Sequence, residues 1–108
     1  MTLRVLLVDD EPLARQRLAR LLAEHKHYEI VAEAGNGQAA LDWLRQHKAD
    51  LVLLDIEMPG LTGLEVAKQL MDTLPPKGHH PAIIFCTADD EYALSAFKVD
   101  AVDYLLKP

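Results

Sequence analysis

One cysteine, Cys86, occurs in these 108 residues, so no disulfide can close within the chain. Its place inside an apolar run suits a small buried hydrophobe better than a reactive thiol. No apolar stretch approaches the roughly 20 residues that a membrane-spanning helix needs. Basic residues are outnumbered, 11 Lys and Arg against 17 Asp and Glu, for a net charge of −6. They form no cluster dense enough to follow a phosphate backbone, which argues against nucleic-acid binding by this segment. The histidines show no metal-ligand spacing: His25, His27 and His47 stand apart, and His79 and His80 sit in a Pro-flanked loop. Internal repeats, low-complexity tracts and linkers are missing, and the length suits one domain with a single core. The opening Met-Thr-Leu-Arg runs straight into an apolar strand pattern rather than a signal peptide, so a cytoplasmic location is expected.

What is present is a set of four short apolar runs, each ending in a polar residue that can hold a metal ion or a phosphoryl group. Val5 to Val8 leads into Asp9 and Asp10, and Leu51 to Leu54 into Asp55. Ile83 to Cys86 leads into Thr87, and Tyr104 to Leu106 into Lys107. Runs of this kind read as strands buried on both faces, as in a parallel sheet, where ligands bind beyond the carboxyl ends of the strands. As parallel neighbours, they would bring three carboxylates, a hydroxyl and an ammonium to one place.

Helical patterns separate the runs. Pro12 suits a first turn, and Ala14, Leu18, Leu21 and Leu22 recur on one face to about Glu24. From Glu29 to Ala34, Ile30, Ala32 and Ala34 alternate against Glu29, Val31 and Glu33, which reads as a partly exposed edge strand. Asn36 is a candidate N-cap for a second helix carrying Ala40, Leu41 and Leu44 and ending near His47, with Trp43 half-buried. Thr62 and Glu65 have capping-box spacing for a third helix carrying Leu64, Ala67, Leu70, Met71 and Leu74, which Pro75 and Pro76 stop. Asp89 or Asp90 can cap a fourth helix from Glu91 to about Lys98, and Ala101 to Leu106 closes as a fifth strand. Such β-α alternation implies a doubly wound α/β fold with a parallel sheet and right-handed crossovers.

Three carboxylates in one pocket repel, each pair at ~4 Å by roughly 4 kcal/mol at an effective dielectric of 20. Asp9, Asp10 and Asp55 therefore call for a cation, and oxygen ligands without His or Cys suit a hard ion such as Mg²⁺. Thr87 and Lys107 look like partners for an anion arriving with the metal. An Asp can itself be the nucleophile, giving an aspartyl phosphate, and Asp55 is the candidate.

Taken in order, Leu7-Val8-Asp9-Asp10-Glu11-Pro12, Leu54-Asp55-Ile56-Glu57-Met58-Pro59 with Gly63, Thr87-Ala88, and Tyr104-Leu105-Leu106-Lys107-Pro108 resemble the receiver domain of two-component response regulators. The resemblance covers the whole chain, 1–108. It implies a flavodoxin-like, or CheY-like, five-stranded sheet of order 2-1-3-4-5, and phosphoryl transfer from a sensor histidine kinase to Asp55. By that resemblance Asp10, Asp55 and the backbone carbonyl of Glu57 would bind Mg²⁺, with Asp9 acting largely through water. Lys107 would contact the phosphoryl group, Ala88 would allow its close approach, and Thr87 with Tyr104 would form the switch. The bond between Lys107 and Pro108 is a candidate cis peptide. Glu57 and Asp89, two residues beyond Asp55 and Thr87, are where the lifetime of the phosphorylated state would be tuned. The stretch from Glu91 to Phe97 and from Ala101 to Pro108 is most similar to regulators with a LytTR-type DNA-binding domain, which implies a transcriptional output domain outside this chain.

Two other functions fit some of the same residues. A phosphohydrolase with an Asp nucleophile would use Asp55, Lys107 and a metal, with Glu57 as its second acid, but it would want a substrate-covering cap that no insertion supplies. A phosphate-independent interaction module would have no need of the full phosphoacceptor set. Receiver domains continue into a fifth helix beyond the Lys-Pro pair. With four helices expected here and the fifth missing, a truncated chain is expected, whose bare sheet face would favour self-association, for instance a homodimer.

Overall fold

The structure is a computed structural model that describes residues 2–73, 81–87 and 103–106. Its elements run β1 (Leu3–Val8), α1 (Pro12–Ala23), β2 (Tyr28–Ala34), α2 (Gly37–Gln46), β3 (Leu51–Asp55), α3 (Gly63–Thr73), β4 (Ala82–Thr87) and β5 (Asp103–Leu106). All strand pairs are parallel, and the sheet order is β2-β1-β3-β4-β5. This is the doubly wound flavodoxin-like arrangement, with β2 on the edge that its mixed polarity predicts. The expected fourth helix, Leu74, and the Lys107–Pro108 peptide bond lie outside the described residues.

Strand periodicity divides the core between two faces, because successive side chains point to opposite sides. Leu6, Val8, Val52, Leu54, Ile83 and Phe85 face α2 and α3, where they pack with Leu41, Val66, Ala67 and Leu70. Val5, Leu7, Leu51 and Leu53 face the other way, where Leu18 of α1 is buried against them. Every residue of β3 is buried, as a central parallel strand requires.

β2 departs from the simple alternation. Val5 pairs with Ile30 but Leu6 pairs with Ala32, so the register slips by one residue at Val31. Because the side-chain period is two, this bulge turns the second half of the strand over. Tyr28 and Ile30 pack on the α1 face, whereas Ala32 and Ala34 join the α2 and α3 face. Ile30, Ala32 and Ala34 therefore do not share one side of the sheet.

The helices start where their caps are. The Asn36 side chain accepts a hydrogen bond from the Ala39 amide at 2.8 Å. At α3 the capping box closes both ways, with the Glu65 amide donating to the Thr62 hydroxyl and the Thr62 amide to the Glu65 carboxylate. Two expected core positions face outward: Leu21 is 49% exposed and Met71 36%. On α1 the sheet-facing stripe is Leu18, Ala19 and Leu22, and Leu21, one position short of Leu22, falls about 100° around the helix from it. On α3 Val66, rather than Met71, completes the buried stripe with Ala67 and Leu70.

Candidate functional site

Register brings the polar strand ends into line. Val8 pairs with Leu54, so Asp9 follows β1 beside the place where Asp55 ends β3. Asp55 pairs with Cys86, which sets Thr87 one residue farther along β4. Thr87 in turn pairs with Leu106, and Tyr104 with Phe85. Thr87 and Tyr104 are placed by their backbones alone, and Ala88, Asp89 and Lys107 lie outside the described residues.

Asp9, Asp10 and Asp55 do converge: one carboxylate oxygen from each lies within 4.8 Å of those of the other two. Asp9 and Asp55 are buried, at 1% and 3% exposure, while Asp10 is half-exposed and opens the cluster to solvent. Burial strengthens the repulsion among these carboxylates and removes the water that would relieve it. The donor set consists of oxygen atoms only and reaches the surface through Asp10, which fits a hard divalent cation such as Mg²⁺. Glu57 lies two residues beyond Asp55 with its side chain exposed, between the buried Ile56 and Met58. Sequence and structure thus agree on the acidic cluster.

Local structure holds each acid in place. The Asp9 amide donates to the Ala34 carbonyl at 3.1 Å, extending the β1–β2 ladder by one step. The Asp9 side chain accepts from the Glu11 amide at 2.9 Å, a short turn that aims the carboxylate at the end of the sheet. Behind Asp55 the chain doubles back tightly, with the Gly63 amide donating to the Ile56 carbonyl at 2.9 Å. A Cβ on Gly63 would lie 2.1 Å from the Asp55 carbonyl oxygen, so only glycine fits there.

Sequence reasoning overlooked one side chain beside this site. Arg15, in the first turns of α1, donates from Nη1 to the backbone carbonyl of Asp9 and from Nε to Glu33 at 3.2 Å. The available clue is directional: helical side chains lean toward the helix N-terminus, so a long cation one turn into α1 reaches back over the chain that enters it.

The profile of the response regulator receiver domain matches residues 5–108. Over 107 residues the chain is 54% identical to the positive alginate biosynthesis regulatory protein of Pseudomonas aeruginosa, covering 98% of this chain and 42% of that protein. It is 48% identical over 106 residues to the sensory transduction protein LytT of Bacillus subtilis, again covering 98% of this chain and 42% of the relative. The chain thus spans about two-fifths of the length of these curated relatives. Among solved structures, response regulator protein TrrA from Thermotoga maritima in complex with Mg²⁺ and BeF superposes with a TM-score of 0.84 at 41% identity. That match covers all of this chain and 88% of the other.

Proposed function

Because the chain belongs to the response regulator receiver domains, the signalling modules of two-component systems, we propose that it is a phosphorylation-driven switch with Asp55 as phosphoacceptor. The observation that carries this reading is the convergence of Asp9, Asp10 and Asp55 at the carboxyl end of the sheet. An oxygen of Asp55 forms the bond to phosphorus as the donor's bond from phosphorus to histidine nitrogen breaks, the donor being a sensor histidine kinase. Asp9, Asp10, Asp55 and the Glu57 carbonyl would hold Mg²⁺. When bound, that ion offsets the negative charge gathered on carboxylates and phosphoryl oxygens. The Mg²⁺ and BeF complex of the similar regulator from Thermotoga maritima supports this assignment.

Lys107 would neutralise a phosphoryl oxygen, and Ala88 would leave room for it. Thr87 would hydrogen-bond the phosphoryl group and, with Tyr104, pass its presence to the neighbouring surface. The wider protein would carry an output domain of the LytTR DNA-binding type and work in the cytoplasm as a transcriptional regulator. The domain would assist its own phosphorylation and dephosphorylation without acting as a conventional multiple-turnover enzyme. Among the described residues no helix is long and apolar enough to cross a membrane.

Incubation with Mg²⁺ and acetyl phosphate, followed by mass spectrometry, tests the reading. The expected product is one labile phosphate adduct that Asp55→Asn abolishes. Rapid turnover of phosphomonoesters would instead indicate a phosphohydrolase, and a folded protein that forms no adduct would indicate a phosphate-independent interaction module.

A further inference from the structure

The Arg15 guanidinium makes two contacts beside the acids. It binds the carbonyl of the peptide that joins Asp9 to Asp10, and it also binds Glu33 on the neighbouring strand. Its own backbone amide donates to the Glu11 carbonyl at 3.2 Å, the first helical bond of α1. Asp9 is therefore gripped by its amide through Ala34, by its side chain through the Glu11 amide, and by its carbonyl through Arg15. Of these, the Arg15 contact is the one made to the peptide that joins Asp9 to the half-exposed Asp10.

We propose that Arg15 is a positioning residue for the acidic site: tethered to Glu33, it fixes the Asp9–Asp10 peptide so that both carboxylates face one cation. The proposal rests on the reading of this site as a Mg²⁺-dependent phosphoacceptor. The sign of the effect separates positioning from simple electrostatics. Arg15 is a positive charge beside a cation site, so on charge alone its removal should tighten Mg²⁺ binding. If its role is positioning, removal loosens the acids and weakens binding. A planar guanidinium can serve two acceptors in a fixed geometry, which an ammonium cannot do in the same way.

The test is a Mg²⁺ titration of the purified chain, followed by the NMR shifts of the Asp10 and Glu11 amides, with thermal unfolding recorded for each variant. Arg15→Ala is expected to weaken Mg²⁺ binding about tenfold while remaining folded, the scale typical of removing a partner that orients metal ligands. Arg15→Lys should recover only part of that loss, although it restores the whole charge. Phosphorylation by acetyl phosphate should slow in the same order at subsaturating Mg²⁺ and converge towards the wild-type rate at saturation. Unchanged or tighter Mg²⁺ binding by folded Arg15→Ala overturns the proposal. If that variant fails to fold, Arg15→Lys decides, since wild-type affinity there would equally overturn it. Wild-type protein that binds no Mg²⁺ would refute the underlying site reading and this proposal together, whereas wild-type binding with an indifferent Arg15→Ala refutes the role of Arg15 alone.

Discussion

The two ends of the sheet handle charge in opposite ways. At the end where the strands begin, the charged side chains are held by backbone groups. The Asp50 carboxylate accepts from the Arg4 amide at 2.8 Å, the Asp50 amide donates to the Arg4 carbonyl at 2.8 Å, and Arg4 Nε donates to the Lys48 carbonyl at 3.0 Å. The Asp50 carbonyl also accepts from Ala82, which ties β3 to β4. At the end where the strands finish, three carboxylates are pressed together, two of them buried. Burying like charges costs stability, and a chain keeps such a cluster only where a cation or a reaction uses it. One end joins the strands, and the other gathers like charge where a ligand can reach it through Asp10.

This contrast can be broken at its backbone first. Gly63→Ala puts a methyl group where the Asp55 carbonyl lies. It should cost about 3 kcal/mol in urea unfolding, the upper range for overpacking, because backbone cannot move aside as a side chain can. The ends should next respond differently to metal. Mg²⁺ at a hundred times its dissociation constant should stabilise the wild type by about 2.7 kcal/mol, read as a rise in unfolding midpoint. Asp10→Asn should abolish most of that rise while making the metal-free protein more stable, since it removes one of three mutually repelling charges. Asp50→Ala should do the reverse, lowering stability by about 1.5 kcal/mol through loss of its bond to Arg4 while leaving the Mg²⁺ response intact. Loss of stability on Asp10→Asn without metal would sink the comparison. The smallest effect is expected at Arg45→Ala, whose ion pair with Asp42 is exposed, with a change within about 0.5 kcal/mol.

The acidic cluster was legible in the sequence because it follows from two simple periodicities. Apolar runs mark the strands, the residue after each run marks its carboxyl end, and parallel order brings those ends together. Asp9, Asp10 and Asp55 could be placed from the sequence for that reason. Asn36, Thr62 and Glu65 were legible because a cap is a local pattern. Arg15 was not, since its partners are a backbone carbonyl and a residue 18 positions away on another strand, and neither leaves a mark in local spacing. Leu21 and Met71 misled because a helix made of apolar residues does not announce where its buried stripe ends. Val31 misled most quietly: the extra residue of a bulge shows only against the partner strand, and the alternation within β2 itself gives no sign of it.

That single unpaired residue in β2 has a reach well beyond the edge strand. It divides the strand into two half-strands of opposite phase, so that Glu33 lies opposite Leu7, on the side of the sheet where α1 and Arg15 lie. Regular pairing onward from Ile30 would put Glu33 opposite Val8 and swing its carboxylate to the far side of the sheet. The tether on Arg15 therefore depends on chain length between Tyr28 and Ala34 as much as on residue type. A shortening by one position there would leave every residue of the acidic cluster in the sequence and still disconnect the arm that steadies it.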